Sequence, residues 1–257
     1  MKILLTNDDG ADSPFLRPLA EALAALGAVT VVAPDSEKSW IGKGISRHAR
    51  VAEKRLPGLG PAAWALSGTP ADCVNIALRH HCESPPDLVV SGINIGHNTS
   101  LVYILSSGTI AGALEGALHG VPAIAVSLGL PREVYLGLKE GDPQTAQEAA
   151  AVAASAARRV AAEAPRLLEG ADDPYAKVHS LNFPYAEADG LEIAPTLPSP
   201  SGASCLFARD GAGFAFQTAE LGKRPCDGYT DRQCLHDGKI SYSLLDFAKI
   251  GVPALPR

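Results

Sequence analysis

Met1-Lys2-Ile3-Leu4-Leu5-Thr6-Asn7-Asp8-Asp9-Gly10 is the stretch that decides the fold. Residues 1–6 read as a short buried strand, which runs straight into two adjacent carboxylates and a glycine able to turn the backbone sharply. In an open parallel sheet, ligands bind outside the carboxyl ends of the strands, and Asp8 and Asp9 fall there. They offer several oxygen ligands to a hard cation such as Mg2+ or Mn2+. The plainer reading is an Asx-turn between strand and helix, since Asn, Asp and Gly are ordinary turn residues. The rest of the chain has to choose between the two.

Working outward, Ser13-Pro14 marks a helix start, and Leu16, Leu19, Ala20 and Leu23 give that helix one apolar face. Gly27 is placed to end it, and Val29 to Ala33 is the second strand, a βαβ beginning with a doubly wound look. The polar loop from Pro34 to Gly44 then faces the same crevice as Asp8 and Asp9. A serine hydroxyl there, of Ser36 or Ser39, can complete a metal shell and a lysine can meet a phosphate, or the loop is simply solvated. Trp40 is unusual in such a loop: it shields the site, stacks on a base, or packs locally. Thr69, Pro70 and Asp72 form a helix start that needs no catalytic explanation, and Cys73 reads as core.

Asp87 to Val90 is a further strand, followed by a second rich loop, Ser91-Gly92-Ile93-Asn94-Ile95-Gly96-His97-Asn98. Its asparagines can coordinate a cation through their carbonyls or bind phosphate through their amides. His97 is either an acid–base group or an exposed loop histidine. Ser106-Ser107-Gly108-Thr109 opens a helix over 110–119, either as an anion site at the helix N-terminus or as plain N-capping. Val121 to Val126 is a strand, 144–164 an alanine-rich covering helix with an Arg159–Glu163 pair, and Lys177 to Pro184 another strand. After Tyr185 the pattern becomes rich in Gly, Pro and Ser. Phe207 to Phe216 reads as a β-hairpin around Asp210-Gly211, and Lys239 to Leu244 as a late strand. The expectation is an α/β chain: a Rossmann-like three-layer core with a mostly parallel sheet over 1–185. Residues 186–257 form a C-terminal extension with a β-hairpin and an oligomerisation arm.

The composition fits a globular protein. Of the 257 residues 46% are hydrophobic and 19% charged, and the formal net charge is -6, so a general basic footprint for duplex nucleic acid is lacking. No stretch approaches the roughly 18 apolar residues of a membrane span, and the first residues do not read as a signal peptide. The five cysteines have no CxxC spacing and read as reduced thiols in a cytoplasmic protein.

The ordered series Asn7-Asp8-Asp9-Gly10, Pro34-Asp35 with Ser39, Ser67 to Val74, Ser91 to Asn98 and Ser107-Gly108-Thr109 resembles the SurE family of metal-dependent survival-protein nucleotidases. Thinner matches continue through Asn182-Phe183-Pro184 and Thr230-Asp231 to Gly238-Lys239-Ile240-Ser241. The resemblance implies a phosphomonoesterase acting on nucleoside 5'- or 3'-monophosphates, with a divalent cation, Mg2+ or Mn2+, in each subunit. It puts the metal ligands on Asp8, Asp9, Ser39 and Asn94, with Asp8 or Asp9 also orienting the attacking water. It puts substrate and phosphate contacts on Asn94, Asn98, Ser107, Gly108 and Thr109, and implies a homodimer or homotetramer built through C-terminal arms. A covalent aspartyl-phosphate is disfavoured, because the haloacid-dehalogenase pattern wants Asp-x-Asp. Two residues depart from the family pattern: Trp40 stands where Gly is usual, and Ser106 where Tyr is frequent, with Tyr103 nearby. Two alternatives stand beside the nucleotidase: a phosphatase or exopolyphosphatase acting on other phosphoesters, and a nucleotide-binding module without turnover. The presence of all four ligand positions favours an enzyme.

Overall fold

Strand β1 (Lys2–Thr6) is buried from its second residue onward, because it lies inside a sheet with helices on both faces. In the computed structural model, which describes residues 1–169, 173–202, 204–217, 222 and 224–250, it is followed by α1 (Leu16–Ala24) and β2 (Ala28–Pro34). Next come β3 (Glu53–Arg55), β4 (Ala63–Leu66), α2 (Pro70–His80), β5 (Leu88–Ile95), α3 (Ser100–Ser106), α4 (Gly108–Leu118) and β6 (Ala123–Leu128). The chain continues through α5 (Arg132–Glu140), α6 (Pro143–Leu168), β7 (Lys177–Phe183), β8 (Ile193–Pro195), β9 (Phe207–Asp210), β10 (Gly213–Phe216), α7 (Asp231–His236) and β11 (Ile240–Asp246).

Nine strands make one sheet in the order β3-β4-β2-β1-β5-β6-β7-β11-β8. The six from β4 to β7 are parallel, while β3 and β11 run antiparallel to their neighbours β4 and β7. Successive side chains of a strand face opposite sides, and β1 shows the result. Ile3 and Leu5 enter a core with Leu16, Leu19 and Leu23 of α1 and the alanines of α6. Leu4 enters a second core with Cys73, Val74 and Ala77 of α2 and Ile110, Ala113 and Ala117 of α4. This is the expected three-layer α/β architecture with a mostly parallel sheet. Truncating one of these leucines to alanine costs about 2–5 kcal/mol.

The capping expected at residue 69 is present in full: Thr69 Oγ1 accepts from Asp72 N, and Asp72 Oδ2 accepts from Thr69 N. The hairpin β9–β10 is also where it was expected, as a separate two-stranded sheet. Three expectations need correction. The strand at Asp87–Val90 continues to Ile95, with its register against β6 shifting between Ser91 and Asn94. The polar, glycine-containing sequence looks like a loop, but the extra residue is taken up as a bulge. At Gly92 a Cβ would lie 2.4 Å from Val126 O, so only glycine fits. The late strand, expected outside the core, is β11 and pairs with β7 from Ser241↔Asn182 to Asp246↔Lys177, so the central sheet draws strands from both sides of residue 185. The covering helix is longer than 144–164 and carries Pro165 within its last turn. The sequence reading assigned no element to the residues of α3 and α5.

Candidate active site

From β1 the chain moves outward to β2 and β4, then returns to β5 on the other side of β1 and moves outward to β6 and β7. The carboxyl ends of β1 and β5 therefore flank a topological switch point, where helices leave in opposite directions and a crevice opens. The loop after β1 carries Asp8 and Asp9, and the end of β5 carries Asn94.

The two carboxylates are fixed from several sides. Lys38 N donates to Asp8 O at 2.7 Å and Ala11 N to Pro34 O at 2.7 Å, so the loops after β1 and β2 are joined through their backbones. Asn7 Nδ2 donates to Gly10 O at 2.8 Å, closing the turn. Thr109 Oγ1 donates to Asp8 Oδ1 at 2.6 Å, and Ile95 N donates to Asp9 Oδ2 at 2.9 Å. At Gly108 an added Cβ would lie 2.7 Å from Asp8 Cβ and 2.9 Å from Asp8 Oδ2, so glycine lets the start of α4 close onto this carboxylate. Asp8 is only 3% exposed. Burial, the largest influence, pushes its carboxyl up to about 6 despite the bonds from Thr109. Asp9 is raised well above the ordinary value by burial and by the adjacent Asp8 charge. Two adjacent acids, one buried and one partly so, with no basic partner among the described residues, disfavour their own ionised forms, and a bound cation would offset that penalty.

Asp8, Ser39, Asn94, Asn98 and Ser107 line one cavity of about 160 Å3, together with Trp40, His97 and Tyr103. Asn94 Nδ2 donates to Gly96 O at 2.7 Å, which leaves its carboxamide oxygen as an acceptor. Asn98 Nδ2 donates to Ser127 Oγ at 2.9 Å, and one N–H of the amide remains. Ser107 Oγ accepts from Ile110 N at 3.0 Å and so caps α4, with its hydroxyl proton still available. Ser39, on the exposed loop after β2, donates to Glu37 Oε1 at 2.8 Å. Gly108 and Thr109 stand behind Asp8, and Thr109 is fully buried with its hydroxyl committed to that carboxylate. His97 Nε2 meets Phe183 O at 2.9 Å, and burial lowers its pKa. Its ring packs so closely on Gly129 that a Cβ there would lie 2.1 Å away.

Among the described residues, no cluster of three or more His, Cys, Asp or Glu side chains occurs. A cation here would rest on two carboxylates plus amide and hydroxyl oxygens. That donor set suits a hard, partly hydrated ion and not zinc.

Three positioning groups lay outside the sequence reading. Asn182 Oδ1 on β7 accepts from Asn98 N at 2.9 Å, and Ser127 on β6 holds the Asn98 amide. A buried asparagine in the middle of a strand was the available signal, since such a side chain requires a partner. Glu115 on α4, 5% exposed, pairs with Lys43 Nζ at 2.5 Å and accepts from Asn75 Nδ2 at 2.7 Å. It thereby ties the loop carrying Ser39 and Trp40 to the helix that begins at Gly108. Nothing in the sequence marks that pairing.

Comparison with known proteins decides the family. The profile of Survival protein SurE matches residues 3–199. The chain belongs to this family. A Moorella thermoacetica protein named 5'-nucleotidase SurE is 48% identical over 130 residues, half of each chain, and a Prochlorococcus marinus protein of the same name is 50% identical over 132 residues, again half of each. The chain thus spans about half the length of the curated relatives it matches. The crystal structure of the SurE protein from Aquifex aeolicus is similar over 96% of this chain and 93% of that one, with TM-score 0.73 and 27% identity. The structural similarity therefore extends beyond the residues that the profile matches.

Proposed function

We propose that this SurE-family chain is a metal-dependent phosphomonoesterase that hydrolyses nucleoside 5'-monophosphates to nucleoside and phosphate. The observation that carries the reading is the Asp8–Asp9 pair, Asp8 buried and Asp9 partly so, both raised in pKa and without a basic partner among the described residues, beside a cavity lined by amide and hydroxyl groups. Family membership and the names of the curated relatives support the substrate class.

In this reading Asp8, Asp9, Ser39 and Asn94 hold one Mg2+ or Mn2+ per subunit. Such an ion would lower the pKa of water and neutralise charge on the transferring phosphoryl group. Asn98 and Ser107 donate hydrogen bonds to the phosphate without adding negative charge beside it. Gly108 allows close approach at the N-terminus of α4, whose dipole favours an anion. Thr109 acts through Asp8, fixing the carboxylate's rotamer. Asp8 or Asp9 orients the attacking water as the ester P–O bond breaks, and the nucleoside leaves as the alcohol. Residues 1–185 are taken as the catalytic part and 186–257 as the extension through which two or four copies assemble. The exposed Phe207, Phe214 and Phe216 of the hairpin support that role. A cytoplasmic location belongs to the same reading and is consistent with five unpaired thiols.

Phosphate release from a panel of nucleoside monophosphates, first in EDTA and then with Mg2+ or Mn2+, tests the proposal. Release that stops with EDTA and returns with metal is expected. Equal rates in EDTA, or release from polyphosphate and small phosphoesters alone, would overturn it.

A further inference from the structure

The cavity beside Asp8 has one wall of a different chemistry. Trp40 stands in the loop after β2 with φ 61°, a left-handed backbone that a bulky residue rarely adopts, and the residue is 36% exposed. The same loop is pinned to α3 by Gly42 N donating to Ser106 O at 2.9 Å. Tyr103 of α3 meets Trp40 edge-on, with centroids 5.3 Å apart and planes at 72°. From the opposite end of the chain, Phe216 of β10 meets Trp40 at 5.1 Å and 62°. Phe207 in turn braces Phe216 at 6.0 Å and 84°. Three segments distant in sequence thus bring aromatic rings to one rim, and two of those rings, Trp40 and Tyr103, line the cavity shared with Asp8, Asn98 and Ser107.

Trp40 is exposed and lines the cavity, which puts ring surface within reach of a flat partner there, and stacking on it is tolerant of base identity because every base has a π-face. The same cavity is lined by Asn98 and Ser107, donors suited to a phosphate. We infer that Trp40, braced by Tyr103 and Phe216, is a specificity-determining residue that stacks on the base of the substrate and selects phosphomonoesters whose leaving alcohol carries an aromatic base over those with only a sugar or aliphatic chain. This rests on the phosphomonoesterase reading and adds to it the part of the substrate that the polar wall does not address. It also gives the C-terminal hairpin a place in the site of its own subunit.

The test compares AMP with ribose 5-phosphate, which keeps the sugar phosphate and lacks the base. The chain contains two tryptophans, so Trp64→Phe, on β4 and outside the lining of this cavity, leaves Trp40 as the only tryptophan. In that protein AMP should quench tryptophan emission strongly and ribose 5-phosphate weakly. In the otherwise native chain, Trp40→Ala should shrink the preference for AMP over ribose 5-phosphate, read as the ratio of their KM values, by about 10-fold. Trp40→Phe should retain most of that ratio. Equal quenching by both ligands, or an unchanged KM ratio in a folded Trp40→Ala protein that still releases phosphate, would overturn the inference and leave the phosphatase reading intact. Absence of phosphate release from every substrate would instead overturn the phosphatase reading, and the quenching comparison would still decide whether Trp40 binds a base.

Discussion

At the amino ends of the strands lies a groove of about 1010 Å3, lined by residues that include Lys2, Arg17, Trp64, His81 and Glu83, whereas the cavity beside Asp8 at the carboxyl ends measures about 160 Å3. In the large groove several polar groups already lie against partners. Lys2 Nζ donates to Ser84 Oγ at 2.6 Å, His81 Nε2 lies 3.1 Å from Glu53 Oε2, and Trp64 is stacked on His81 with Arg55 over its ring. At the small cavity the buried Asp8 adjoins the partly buried Asp9, and among the described residues neither has an ion-pair partner. Chemical potential for a ligand follows from uncompensated charge and available donors, not from volume.

The sharpest way to break that contrast is to remove the charge. Asp8→Asn or Asp9→Asn should lower metal-dependent phosphate release by roughly 10²–10⁴-fold, while thermal unfolding of the metal-free protein shows no loss of stability, because each change removes a buried charge. Full turnover in either variant would move the chemistry away from the carboxylate pair. A smaller effect should follow from Thr109→Val, which keeps the shape and deletes the hydroxyl that orients Asp8. Titration should show metal affinity weakened about 10–100-fold, and an unchanged affinity would remove Thr109 from the site.

The acid pair also sets a dependence on pH. Burial holds the folded-state pKa of Asp8 at about 6 against an ordinary 3.8, with Asp9 raised as well. The neutral forms are therefore the ones folding favours, and this contribution to stability is present below the ordinary value and lost as pH rises through about 6. Adding Mn2+ to metal-free protein should raise Tm more at a pH above this window than within it. A gain that is flat across the window would mean that the ion binds elsewhere. The smallest effect belongs to the large groove: His81→Ala should change phosphate release less than about 2-fold, in line with a change away from the site. A large loss there would make the groove functional and undo the comparison.

Much of this organisation was legible in the sequence. The apolar run Ile3-Leu4-Leu5, the spacing of Leu16, Leu19 and Leu23, and the capping residues Thr69, Pro70 and Asp72 are local signals, and each forms as read. Asp8, Asn94, Asn98 and Ser107 could be brought together because strand ends in a parallel sheet share one side. The missed features are those decided by distant partners. The strand character of Asn94 depends on Ser127 across the sheet, the place of β11 on β7, and the orientation of Asn98 on Asn182. Trp40 was visible as an anomaly, but its neighbours were not, since Phe216 lies at the other end of the chain.

The bonds that finish the site have a consequence for how the protein folds. Asp9 to Ile95 and Asp8 to Thr109 join residues 86 and 101 positions apart, and contacts of such long range close only after the intervening chain has been ordered. Helices such as α1 and α2 form from near neighbours, so recovery of far-UV circular dichroism on refolding should run ahead of recovery of metal binding. The acid pair would then report the completed sheet, because neither carboxylate is held until β1, β5 and α4 have docked.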